Sequence, residues 1–107
     1  NPRCRKSRAG LAYLQEKEKD IYIRNYLKDP LTEDELRDVI SKLGMVPADI
    51  IRTQEEDFKK LYKGKILSDD EWIIAILEHP KLLKRPLVIR DNKGVWADPP
   101  ENIEKLY

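Results

Sequence analysis

The sequence predicts an α/β fold in which helices flank a mixed sheet, and three observations predict it. A β-branched and aromatic stretch lies early in the chain, several separate helix-start signals follow it, and a turn near the end joins two apolar runs. The resulting order is helix, strand, helices, β-hairpin, helix. At 107 residues the chain is long enough for one core and is expected to form a single domain, residues 1–107.

From Ser7 to about Gln15, the residues Ala9, Leu11, Ala12, Tyr13 and Leu14 read as a helix in which Gly10 is a weak point. Glu16 to Asp20 form a charged turn, and Ile21-Tyr22-Ile23-Arg24-Asn25-Tyr26 has the composition and loose alternation of a strand. Thr32 and Glu35 form a capping box ahead of Leu36, Val39, Ile40 and Leu43, with Gly44 as the stop. Pro47 opens a short helix carrying Ile50 and Ile51. Thr53 with Glu56 predicts a second capping box before Phe58, Leu61 and Tyr62, and Ser68 with Glu71 a third before Trp72, Ile73, Ile76 and Leu77. Three short helices in a row predict a helical insertion at about 45–80. Leu87-Val88-Ile89-Arg90 then reads as a strand, Asp91-Asn92-Lys93-Gly94 as a hairpin turn and Val95-Trp96-Ala97 as the returning strand. Asp98-Pro99 supplies an N-cap and a proline at the first helical position for a final helix with Ile103, Leu106 and Tyr107.

The chemistry concentrates in Asn1-Pro2-Arg3-Cys4-Arg5-Lys6-Ser7-Arg8, where the only cysteine stands among four cations and no acid, at a helix start. Helix-start N–H groups and nearby cations both favour thiolate over thiol, which marks Cys4 as a candidate nucleophile. The competing reading of a lone cysteine is a small buried hydrophobe. One cysteine excludes an intrachain disulfide, and no apolar run approaches the roughly 18 residues of a membrane span. A reducing, cytoplasmic setting without a membrane partner is therefore expected. His79 is the only histidine, so no Cys/His metal cluster is expected, and before Pro80 it reads as a helix-terminal residue. Charged residues make up 38% of the chain yet cancel to +1, which argues against nucleic-acid binding. The local excess at residues 3–8 suits one small anion.

Asn1-Pro2-Arg3-Cys4 leading into a helix, Pro30-Leu31-Thr32 with Glu35-Leu36, Ile50-Ile51-Arg52, and His79-Pro80 followed by Arg85-Pro86 together resemble the glutaredoxin-linked arsenate reductase (ArsC) family and its Spx-type relatives, along essentially the whole chain. The resemblance implies a thioredoxin-like, glutaredoxin-like fold with a helical insertion. In that family a first strand, at the centre of the sheet, precedes the Asn-Pro-x-Cys segment. Because this chain starts at Asn1, that strand is missing from it, and roughly five to ten further N-terminal residues are expected in the natural protein unless another segment pairs there.

The resemblance also implies roles for individual residues. Cys4 matches the nucleophile that attacks arsenic and is resolved by glutathione and then glutaredoxin. Ser7 matches a serine whose hydroxyl could bond the sulfur, though it fits an ordinary first-turn residue equally well, and Arg8 aligns with the arginine that follows it. Arg52 and Arg85 match two of three anion-binding arginines; a solvated helix-end arginine is the other reading of Arg52. The planar guanidinium fork suits a tetrahedral oxyanion. Pro86 matches a cis-proline opposite the thiol, while the residues alone also fit a trans proline at a strand start.

The third family arginine has no counterpart in Ala97-Asp98-Pro99-Pro100, and Arg5-Lys6 replaces the Gly-Thr of well-characterised members. The expected function is an arsenate reductase-like thiol oxidoreductase with an oxyanion or thiol substrate, no tightly bound cofactor or metal, and glutathione as co-substrate. The alternative is a non-catalytic Spx-like regulator that binds a transcription component.

Overall fold

Two helices start where their capping boxes place them in the computed structural model, which describes residues 1–107. In α2 (Glu33–Leu43) the Thr32 hydroxyl accepts from the Glu35 N–H at 3.1 Å, and the Glu35 carboxylate accepts from the Thr32 N–H at 2.9 Å. In α4 (Asp69–Glu78) Ser68 and Glu71 make the same reciprocal pair at 3.2 and 3.0 Å. Each first turn carries three acids, which complement the positive end of the helix dipole. Gly44 ends α2 at φ 65°, in the left-handed region where a glycine meets no steric penalty.

The second capping box does not form. The chain turns at Arg52–Glu55, with the Glu55 N–H donating to the Arg52 carbonyl at 3.1 Å, so α3 (Glu56–Leu61) is capped by Glu55 without any side-chain bond and Thr53 lies outside it. Its Phe58 stacks on Trp72 of α4 at a ring-centroid distance of 6.3 Å, and Tyr62 just beyond packs on the same ring at a tilt, at 5.8 Å. That aromatic group borders a core of Leu36, Ile40, Ile50, Ile51, Ile73, Ile76, Leu82 and Leu83.

Strands β1 (Leu87–Arg90) and β2 (Lys93–Trp96) pair antiparallel, with Leu87 opposite Trp96 and Arg90 opposite Lys93. The turn is therefore the two residues Asp91-Asn92, with Asp91 at φ 55°, and the returning strand begins at Lys93 rather than Val95. Beyond this hairpin the only ladder contact is an antiparallel bridge between Ile51 and Leu83, so the parallel part of a mixed sheet is not formed among these residues.

The strand expected at Ile21–Tyr26 is not formed either. No backbone hydrogen bond ties residues 21–24 to another segment, and Tyr22 and Ile23 are 83% and 60% exposed. Strand propensity expresses a fit to a pleated, half-buried surface, and without a neighbouring strand it yields only extended chain. The final helix is 3-10 rather than α over Pro100–Leu106, and its N-cap is Pro99, one residue beyond the expected Asp98. It anchors the C-terminus through the buried Ile103 and Leu106.

Helix α1 (Arg5–Lys17) runs two residues further at each end than its apolar pattern indicates. Gly10 is a point of contact in it rather than a defect. A Cβ there would lie 2.6 Å from Cγ of Pro86, so only glycine lets the helix rest against the Arg85-Pro86 step. That contact sets the distance between the two segments that carry the site.

Candidate functional site

Cys4 is the N-cap of α1, with extended backbone at φ −87° and ψ 125° and no side-chain capping bond. Its carbonyl accepts the first helical hydrogen bond, from the Arg8 N–H at 3.0 Å, so the thiol is held at the open end of the helix. Burial pushes that thiol up, but the Arg85 guanidinium, the Ser7 N–H and hydroxyl and the Lys6 N–H all favour the charged sulfur and hold it down at about 6. Ser7 is itself buried beneath the turn. At neutral pH Cys4 is mostly thiolate.

A cleft of about 480 Å³ opens beside the sulfur. Arg52 and Arg85 line it from the other side, together with Lys84 and Trp96. The Ile51–Leu83 bridge explains this convergence: the Arg52 N–H donates to the Leu82 carbonyl at 2.7 Å and the Lys84 N–H to the Ile50 carbonyl at 2.8 Å. The aliphatic residues of both short segments fill the core, and the cations beside them reach the cleft.

The two arginines differ in their partners. Arg52 is paired through Nη1 with Glu55 at 2.5 Å, and the two side chains are only 18% and 19% exposed. Arg85 has Nε and Nη1 buried without any hydrogen-bond partner. Unmet buried donors cost about 1–3 kcal/mol each. Tyr26 lies next to Arg85, where burial pushes its hydroxyl pKa up and the neighbouring guanidinium pulls against that rise. The Arg85–Pro86 peptide is cis, and the Arg85 carbonyl accepts from the Trp96 indole N–H at 3.2 Å.

Of the sequence candidates, Cys4, Arg52 and Arg85 meet at the cleft, Ser7 supports the thiolate from below, and Pro86 sits between the cleft and Gly10. Arg8 does not join them: it is exposed, and its guanidinium donates to the Pro2 carbonyl at 3.1 Å. His79 ends α4 beside Asp57, outside the cleft. Lys84, Trp96, Gln54 and Tyr26 were not singled out from the sequence. The position of Lys84 and Trp96 on either side of the Arg85-Pro86 hairpin entry was their only signal. Asp98, where a third cation was missed, forms an ion pair with Lys6 at 2.8 Å.

A low-pKa cysteine at a helix N-terminus, facing cations across a cis-proline step, defines a reactive-thiol protein of thioredoxin-like fold. The profile of the ArsC family matches residues 1–106, and the chain belongs to that family. It is 39% identical over 108 residues to an arsenate reductase of Neisseria meningitidis, covering 99% of this chain and 92% of that protein. It is 42% identical over 96 residues to an uncharacterised protein from the glnII region of Streptomyces viridochromogenes, covering 86% of this chain and 81% of that one. Among solved structures, an arsenate reductase from Vibrio cholerae superposes with a TM-score of 0.91 at 35% identity, covering 100% of this chain and 92% of that one. No helix is long and apolar enough to cross a membrane.

Proposed function

We propose that the protein is an arsenate reductase-like oxidoreductase in which the Cys4 thiolate attacks a tetrahedral oxyanion held by Arg85 and Arg52. The observation that carries this reading is the pairing of a thiolate held at about 6 with an adjacent guanidinium whose Nε and Nη1 have no partner. The sulfur is the attacking atom, and Arg85 both favours its charge and offers donors to the oxygens that the attack loads with charge. Arg52 is pre-oriented by Glu55, which fixes its fork at the expense of part of its charge.

Attack of the thiolate on arsenic forms a sulfur–arsenic bond and expels one oxygen, protonated, as water. Taking arsenic from the +5 to the +3 state requires two electrons, which two thiols supply by forming one disulfide. Cys4 is the only cysteine among these residues, so the disulfide must involve thiols from outside. Glutathione as co-substrate, followed by glutaredoxin, meets that requirement without a tightly bound cofactor.

The test is NADPH consumption in the presence of arsenate, glutathione, glutaredoxin and glutathione reductase, comparing the protein with its Cys4→Ser variant. Arsenate-dependent turnover that vanishes in the variant is expected. Turnover that survives the substitution rejects Cys4 as the nucleophile, and a wild type that consumes no NADPH while Cys4 alkylates rapidly rejects arsenate as the substrate.

A further inference from the structure

We propose that Lys84 is the third anion contact of the Cys4 cleft, providing the cation that the position of Asp98 lacks. This rests on the oxyanion reading above and extends it to a residue outside the arginine set.

The charge balance of the cleft points to it. Five cationic side chains line the cleft, and two are matched by carboxylates: Lys6 by Asp98 at 2.8 Å and Arg52 by Glu55 at 2.5 Å. The Lys6 pair draws that ammonium toward Asp98 and offsets the repulsion Asp98 would exert on an entering oxyanion. Arg5, Lys84 and Arg85 remain. Arg5 is exposed on the first turn of α1, where solvent and salt screen its charge. Lys84 is half-buried, directly precedes Arg85, and has its backbone fixed by the bond to Ile50.

The head group of Lys84 is also free to move. No carboxylate lies within 4.0 Å of its Nζ, which instead rests over the Trp96 ring at 4.5 Å from the centroid. A cation parked on an indole face is held weakly compared with one in an ion pair. Trp96 is itself tied to the Arg85 carbonyl, so the ammonium rests on a ring that lines the same cleft as Cys4 and Arg85. A flexible four-carbon stem then lets Nζ leave the ring for an anion seated between Cys4 and Arg85. An arginine would bind such an anion through a rigid fork, whereas Lys84 supplies a point charge that follows it.

Two alkylating probes of Cys4 that differ mainly in charge test this apart from any turnover. Iodoacetate carries a carboxylate and iodoacetamide does not. In Lys84→Met the iodoacetate rate is expected to fall about fivefold at low ionic strength while the iodoacetamide rate stays within about twofold, and Lys84→Arg is expected to restore the iodoacetate rate. In the coupled arsenate assay, Lys84→Met is expected to raise KM about tenfold and leave kcat within about twofold. Equal loss with both probes would mean that Lys84 acts on the thiol or the fold, and no loss with either would mean that it meets no anion; both overturn the proposal. An iodoacetate-specific loss in a protein that reduces no arsenate would support the anion contact and overturn the substrate reading alone.

Discussion

The three longest α-helices of this protein, α1, α2 and α4, begin in two different ways. At α2 and α4 a hydroxyl and a glutamate satisfy the first N–H groups and three acids neutralise the dipole. At α1 the N-cap is Cys4, with no side-chain capping bond and no acid in the first turn. The first arrangement stabilises a helix by about 1 kcal/mol at each cap. The second leaves the Ser7 and Lys6 N–H groups to act on a sulfur, and together with the Arg85 guanidinium, the largest of these influences, they hold Cys4 at about 6 against the effect of burial. One kind of start is finished within the fold, and the other is completed by a ligand.

Substitutions can break or sharpen this contrast. The largest effect is expected from Cys4→Ser, which should lower turnover by at least about a thousandfold, because a hydroxyl is not ionised by the same surroundings. The check is the coupled assay, with the far-UV dichroism unchanged. Next is Arg85→Met. Losing the strongest charge partner of the sulfur moves its pKa from about 6 back toward 9, so the alkylation rate, which rises with pH as thiolate forms, shifts its midpoint upward. At pH 7 that rate should fall about tenfold if the pKa rises by about two units.

Gly10→Ala drives a methyl into Pro86, and urea unfolding should show a loss of about 1–2 kcal/mol despite the better helix propensity of alanine. Thr32→Ala and Ser68→Ala should each cost about 1 kcal/mol in the same measurement and leave the Cys4 alkylation midpoint where it was. The smallest effect is expected from Arg5→Glu, which gives α1 the acid that the other helices have. A single exposed charge in the first turn should raise the alkylation midpoint by less than about one unit. A rise as large as that of Arg85→Met would show that the basic turn, rather than Arg85, controls the thiol.

Locally encoded features were legible in the residues. The boxes at Thr32 and Ser68, the stop at Gly44 and the Cys4 helix start each depend on contacts within four residues. The hairpin was legible for the same reason, although its two-residue turn shifted the register of the returning strand. What failed depended on partners distant in sequence. Ile21–Tyr26 has a strand's composition but no neighbour to pair with. Gly10 looked like a weakness because its reason, Pro86, lies 76 positions away. Lys84 looked like one more solvated lysine, and only the Ile51–Leu83 bridge shows that it faces Cys4. Arg8 was expected at the site from the family resemblance, yet its position on α1 turns it out of the cleft.

The two tryptophans occupy opposite kinds of surroundings. Trp72 is 8% exposed among Phe58, Tyr62 and the core, while Trp96 stands at the cleft between the ammonium groups of Lys84 and Lys6, at 4.5 and 5.9 Å. Trp72 is therefore expected to emit further to the blue than Trp96, and an anion that draws Lys84 off its ring is expected to change the Trp96 emission alone. Occupancy of the cleft would then be read from the protein's own emission, with Trp72 as the internal standard and no label required.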